Sequence, residues 1–361
     1  MMSASRQSCE LFSSTGSALM ENKRNNAVEF YRVLLMFFIV LYHSYFHGVF
    51  HQNLHDWWTL FFDVLIIWHV DGFVAISGWY GIKFSWKKFL SLYGQILFYS
   101  LVGCVVHWIR VGEGKFIVSG GWFGSSYLML MLAAPLVNAG IDYLRNSDAG
   151  RGVLRTWGLI AFGVTCSALP NHLFTGINAV GMCSASFLTL LFVYITARVA
   201  RCAFPSPLPA RWLLSYILCY PVLALMPGFC LMAVHGNYGD LKVLHAGMNN
   251  NLPHVWLMAL ATLMLFVWHV RIPSWLGRVS AWLAPSMFGV YLIHDVTYGG
   301  RDLYRIPTRL LCDAGIHPFA ALVAASVIAF AACNGIDLCR RMCVFVVKRL
   351  AFRLYECTNC V

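Results

Sequence analysis

Charge is the first thing this chain lacks: Asp, Glu, Lys and Arg make up 11% of its 361 residues, against 59% hydrophobic ones. Soluble domains carry roughly 25% charged residues. A mean hydropathy of +0.66 leaves more apolar surface than a water-soluble core of this length can hide. A soluble domain is therefore excluded. The net charge of +11 does not point to nucleic acid, because the basic residues sit in short runs between apolar blocks. A cleavable leader is missing as well. Residues 1–26 are polar and Ser-rich with no apolar run, so they read as a disordered cytoplasmic tail, and the first long block reads as an uncleaved anchor. There is no internal repeat of the kind that builds many transporters, no Gly-rich phosphate loop and no metal-ligand spacing. The 13 cysteines lie mostly singly in apolar blocks, as small hydrophobes. The pair Cys357 and Cys360 has no second half, so no metal is expected.

What the chain has in abundance is long apolar runs. Blocks long enough to span a bilayer occur at 27–50, 57–81, 89–110, 122–143, 154–170, 182–199, 212–232, 252–270, 281–298 and 316–337. The fold expected is an all-α polytopic bundle of about ten transmembrane helices, with one membrane domain over 27–337 and a basic cytoplasmic tail over 338–361. Of the 26 Lys and Arg, only Arg110, Lys115, Lys242, Arg301, Arg305 and Arg309 fall on one side; the other twenty fall on the side of the N-terminus. Basic loops face the cytoplasm, which puts both termini there.

Against this background the polar residues within spans stand out. The first block reads "EFYRVLLMFFIVLYHSYFHG" and carries Glu29, Arg32 and His43. Arg32 and His43 are eleven residues apart, close to three whole turns, so both project from one helix face roughly 16 Å apart along the axis. Glu29, three before Arg32, can pair with it on the same stripe. A snorkelling Arg32 and a hydrogen-bonded core His43 are the plainer reading. Ionisable groups in a membrane are expensive, however, and usually functional. In the second block Asp71 lies at a depth where Arg32 can reach it, and Ser77-Gly78 opens the backbone before the basic rim of Lys83, Lys87 and Lys88. Near the end of the ninth block His294 matches the depth of His43, as site residue or as structural histidine. Asp295 projects about 100° from it and is a poor orienting partner. His47, His51 and His55 recur every four residues but run out of the first span into a loop.

Four segments in order resemble the membrane acyltransferase 3 family, whose members O-acylate cell-surface glycans. They are the acidic-x-x-Arg opening with its Arg-x10-His spacing, "VDGFVAISGWYGIKFSWKKF", "GGWFGSSYLMLMLAAPLVNAGIDYL" and the last third ending in "SAWLAPSMFGVYLIHD". The resemblance implies a multi-pass protein of a bacterial inner membrane. It also implies acyl-CoA as donor, most often acetyl-CoA, and a glycan or lipid-linked saccharide as acceptor. Arg32 and His43 match the family pattern directly, followed by Asp71, Ser77, Gly78 and His294. Acyl transfer to a hydroxyl needs a base, because an alcohol is a poor nucleophile at neutral pH. His43 suits that role. Arg32 cannot be a base; it suits binding of an anionic donor, with Lys83, Lys87 and Lys88 attracting phosphates at the same rim. Trp57, Trp58, Trp122, Tyr298 and Tyr304 stand at the outer ends, where they either stack on sugar rings or form the ordinary interfacial belt. A transporter or flippase for a lipid-linked or small anionic substrate is the alternative that would also use a charged stripe.

Overall fold

The structure, a computed structural model, describes residues 25–51, 56–147, 150, 152–154, 156–161, 186–236 and 252–359. The described residues are helical and contain no strand. The principal helices are α1 (Asn26–Phe50), α2 (Trp57–Tyr80), α3 (Trp86–Val111) and α4 (Gly121–Arg145). They continue as α5 (Phe187–Ala203), α6 (Ala210–His235), α7 (Pro253–Trp268) and α8 (Ser274–Val296). The last two are α9 (Asp302–Asp313) and α10 (Pro318–Asn359). Among the described residues seven of them, α1, α2, α3, α4, α6, α8 and α10, are long and apolar enough to cross a membrane, and α7 is a shorter apolar helix. The expected span 154–170 lies largely outside the described residues, as do the N-terminal residues up to 24. The segment expected as a tail from 338 continues α10 as helix to Asn359.

Local chemistry sets the helix ends. The Asn25 side chain accepts from the Ala27 amide at 3.0 Å and opens α1. Asp56 and Thr59 form a capping box at the start of α2. Gly81, at φ 72°, ends α2 in a conformation that L side chains rarely adopt. The α8 segment starts earlier than its hydropathy indicates, at Ser274 directly after Pro273, and passes through a tight turn at Ala284–Ser286 that Pro285 imposes.

The centre of the molecule is α2, buried along most of its length and packed on α1, α5 and α7. It is not one uninterrupted helix. Its regular ladder breaks between Ile66 and His69, where lipid offers no replacement for lost hydrogen bonds. Side chains supply them: Trp68 Nε1 donates to the Leu65 carbonyl at 2.7 Å, and His69 Nδ1 donates to the Ile66 carbonyl at 2.6 Å. Tyr220 of α6 donates to the Val64 carbonyl at 3.2 Å. A second buried network ties α10 to α3. Asp337, fully buried, accepts from Tyr99 Oη at 2.7 Å and Arg340 Nε at 2.8 Å. Such a carboxylate is tolerable in this setting only because both partners are in place.

Gly78 does not open the backbone, as its sequence context implied. It is helical, and a Cβ built on it would lie 2.4 Å from the Tyr194 carbonyl oxygen of α5. Its smallness lets two helices touch backbone to backbone. We expect Gly78→Ala to destabilise the protein by about 1–3 kcal/mol through overpacking. Gly94→Ala, on an exposed face with nothing within 4 Å, should be neutral or stabilising by up to about 1 kcal/mol. Thermal unfolding of the two purified variants in one detergent checks the difference, and equal melting points would refute the packing role.

Candidate functional site

Three helices converge on His43. It ends the regular part of α1, and from Ser44 to Phe50 the helix widens, with the His51 amide reaching the Phe46 carbonyl five residues back. The same distortion recurs in α8 over Leu292–Val296, where the Thr297 amide reaches the Leu292 carbonyl. Wide turns of this type are rare and concentrate at functional sites. Each has a local cause. Ser44 Oγ adds a bond to the Val40 carbonyl at 2.8 Å, and Thr297 Oγ1 one to the Leu292 carbonyl at 2.9 Å, beside the main-chain amides that also reach these acceptors. α9 approaches closely here, with Thr308 Oγ1 at 3.4 Å from where a Cβ on Gly48 would stand.

The two wide turns bring His43 and His294 together: His43 Nδ1 and His294 Nε2 are 2.8 Å apart. The direction of this bond follows from what the other ring nitrogen does. His294 Nδ1 lies 2.6 Å from the Val290 carbonyl, which can only accept, so Nδ1 carries the proton. Neutral His294 then has a lone pair on Nε2, and His43 Nδ1 must donate to it. Neutral His43 is left with its own lone pair on Nε2. That nitrogen faces Asp295 Oδ2 at 4.0 Å. The other carboxylate oxygen, Oδ1, is held by Arg301 through Nη2 at 2.9 Å and Nε at 3.2 Å. His43 thus has a fixed tautomer, with an unprotonated Nε2 beside a carboxylate. Tyr304, fully buried, closes the far side of His294 with ring centroids 6.5 Å apart. Burial holds its phenol above its ordinary pKa, so the group stays neutral.

The matched depths of His43 and His294 are realised as direct contact. Asp295 is indeed no partner of His294, yet it faces His43, and only the three-dimensional meeting of α1 and α8 shows that. Arg301, from the short turn between α8 and α9, has no signal in the sequence beyond its charge.

Arg32 lies three turns lower on α1 and pairs with Glu29 at 3.3 Å, as the i, i+3 spacing implied. The expected Arg32–Asp71 pair does not form. Asp71 is buried on α2, its Oδ2 has no hydrogen-bond partner among the described residues, and no ion pair joins it to Arg32. Equal depth does not guarantee equal azimuth, and the local partner wins. Ser77 Oγ bonds Tyr127 Oη of α4 at 3.1 Å, and Tyr127 and Tyr80 both lie within electrostatic range of Arg32. Lys83, Lys87 and Lys88 are exposed around the start of α3. His47 stacks on His51 with centroids 5.8 Å apart, while His55 lies outside the described residues. Among the described residues no group of three or more His, Cys, Asp and Glu is placed to hold a metal ion. Trp57, Trp58 and Tyr298 are exposed and Trp122 is half-buried, but Tyr304 is fully buried and cannot stack on a sugar. A cavity of about 300 Å³ adjoins the α8 wide turn through Val296 and Thr297, lined also by Tyr99, His107, Lys115 and Tyr298.

The tautomer assignment has a direct readout. In ¹⁵N-histidine-labelled protein at neutral pH, His43 should show a protonated Nδ1 and an unprotonated Nε2, and His294 a protonated Nδ1. His294→Ala should release His43 to the mixture of tautomers a free imidazole shows. A His43 protonated at Nε2 in the wild type would contradict the hydrogen-bond directions.

The family model described as Acyltransferase domain matches residues 25–336, from the cap of α1 to the middle of α10. No curated protein and no solved structure matches the chain. That span takes in His43, His294, Asp295 and Arg32, and the helices that carry them. The chain belongs to the membrane acyltransferase 3 family and is a multi-pass membrane acyltransferase.

Proposed function

We propose that the protein moves an acyl group, most simply acetyl, from acyl-CoA on the cytoplasmic side to a hydroxyl of a cell-surface or lipid-linked glycan. The observation that carries this reading is the His43 base with its lone pair directed away from His294 and beside Asp295. The acceptor hydroxyl approaches from the outer side, where the cavity beside Thr297 and Tyr298 opens next to the α8 wide turn. Its oxygen attacks the thioester carbonyl carbon while His43 Nε2 accepts its proton, and Asp295 stabilises the resulting imidazolium. The tetrahedral intermediate collapses with breakage of the C–S bond. The sulfur leaves and takes the proton back from His43, giving an ester and free thiol, with no change in oxidation state. A bilayer-embedded site suits this chemistry, because excluding water protects the thioester from hydrolysis.

Donor binding falls to the other end of the stripe. Arg32, held by Glu29 and bordered by Tyr80 and Tyr127, stands where an anionic or carbonyl-rich arm would pass on its way to His43. Lys83, Lys87 and Lys88 add a positive field at the same rim and raise the local concentration of an anionic donor. In this reading both chain termini and the donor lie in the cytoplasm, in line with the charge bias.

With purified protein, labelled acetyl-CoA and a glycan acceptor extract, label should appear in the acceptor. His43→Ala should lower the transfer rate by about 10²–10⁴ while donor binding persists. Arg32→Ala should raise the donor KM, and Arg32→Lys should recover only part of the loss, since an ammonium lacks the planar fork. Uptake of a substrate without covalent change, or full transfer by His43→Ala, would contradict the proposal.

A further inference from the structure

A second polar concavity lies away from the histidine pair, at the end of the bundle that bears Arg32. It has a volume of about 450 Å³, within the roughly 300–1,000 Å³ of small-molecule sites. Arg145 of α4 and Arg198 and Arg201 of α5 line it, with Trp79 and Tyr80 of α2 and Trp268 at the end of α7. Three guanidiniums therefore share the lining with these three large aromatic rings and with Phe204, and among the described residues the lining contains no carboxylate. The charge is only partly met from outside: Asp142 approaches Arg198 Nη2 at 3.5 Å. Arg198 Nε is buried and has no hydrogen-bond partner among the described residues. A buried donor of this kind costs free energy unless something else accepts from it.

The rest of the pocket is organised around these groups. Arg201 donates to the Trp79 carbonyl at 3.0 Å and lies over the Tyr80 ring, 5.5 Å from its centroid. Trp79 and Trp268 meet edge to face at 5.4 Å. Gly81, at φ 72°, turns the chain beneath Arg198, and a Cβ there would come within 3.2 Å of Nη1. The segment after it is clamped: Tyr194 Oη accepts from the Ile82 amide at 2.9 Å and donates to Asn138 Oδ1 at 2.9 Å. Asn138 Nδ2 in turn donates to the Ile82 carbonyl at 3.1 Å. The pocket is thus preformed by α2, α4 and α5, and Tyr80 in its lining is close enough to feel the charges of Arg32 and Glu29.

We propose that this pocket seats the phosphorylated nucleoside end of the acyl-CoA donor, phosphates on Arg145, Arg198 and Arg201 and the purine against the aromatic wall. Guanidiniums bind phosphate oxygens in a forked geometry, and flat aromatic faces accept a purine ring. From here the pantetheine arm runs past Tyr80 and Arg32 up the face of α1 toward His43, roughly 16 Å above Arg32. The exposed Lys83, Lys87 and Lys88 attract the donor without gripping it. An anionic lipid headgroup shares the phosphate chemistry but offers nothing to the three rings, which favours the nucleotide.

The inference rests on the acyl-CoA reading above, so its test separates the two. Equilibrium binding of CoA, of pantetheine and of phosphatidylglycerol is measured on the purified full chain in detergent. Wild type should bind CoA more tightly than pantetheine. Arg145→Ala and Arg198→Ala should each weaken CoA on the order of tenfold or more. Pantetheine, which lacks the nucleotide, should change by less than about threefold if only phosphate contacts are lost. Arg198→Lys should recover part of the CoA affinity, and melting temperatures report whether each variant is folded. Folded arginine variants that bind CoA as wild type does, or that lose only phosphatidylglycerol, would overturn the pocket assignment while leaving the donor reading intact. A wild-type chain that binds no CoA would take both down together.

Discussion

The contact between His43 and His294 is the constraint around which the rest of this molecule is arranged. Two imidazoles 2.8 Å apart inside a membrane protein must settle which of them donates, and the Val290 carbonyl decides it by claiming the His294 Nδ1 proton. From that single bond follow the tautomer of His43, the direction of its free lone pair and the use of Asp295, whose other oxygen Arg301 holds. The helices are deformed to suit. Both α1 and α8 widen at the level of the pair, and neighbouring hydroxyls add bonds to main-chain carbonyls there. Polar groups this deep are costly unless every partner is present, and here α8 supplies Val290, His294 and Asp295 while α1 supplies His43.

The charges outside the pair follow the same economy with opposite outcomes at the two ends. At the histidine end basic residues are tied to acids: Arg110 to Asp302, Arg301 to Asp295 and Arg309 to Asp313. At the other end Arg145, Arg198 and Arg201 gather around one cavity without a carboxylate in its lining. Acids reach that end too, Glu29 at Arg32 and Asp142 at Arg198, but among the described residues none joins the three guanidiniums in the lining. A lining rich in guanidiniums suits the phosphorylated donor proposed above.

Much of this was legible in the sequence, for reasons that differ from residue to residue. The eleven-residue interval from Arg32 to His43 is a property of one helix, so periodicity alone put both on one face. The Glu29–Arg32 pair is equally local. Depth is readable too, since residues counted from the rim translate into ångströms, and this matched His294 to His43. Azimuth is not readable across helices, which is why the expected Arg32–Asp71 pair fails and why the approach of Asp295 to His43 left no trace in the sequence. Gly78 looked like an opening because glycine weakens a helix in isolation; its purpose here is close packing on Tyr194. The arginine pocket draws on four segments and leaves no linear trace.

The most direct test of this account is whether His43 and Asp295 act as one unit in the chemical step. Single-turnover transfer rates of His43→Ala, Asp295→Asn and the double variant form a thermodynamic cycle. If Asp295 works only by stabilising the protonated His43, its loss should cost nothing further once His43 is gone, and the double variant should match His43→Ala alone. Losses that multiply, with the double variant slower than His43→Ala by the full factor of Asp295→Asn, would show that the two residues act independently and that the histidine-centred account is wrong.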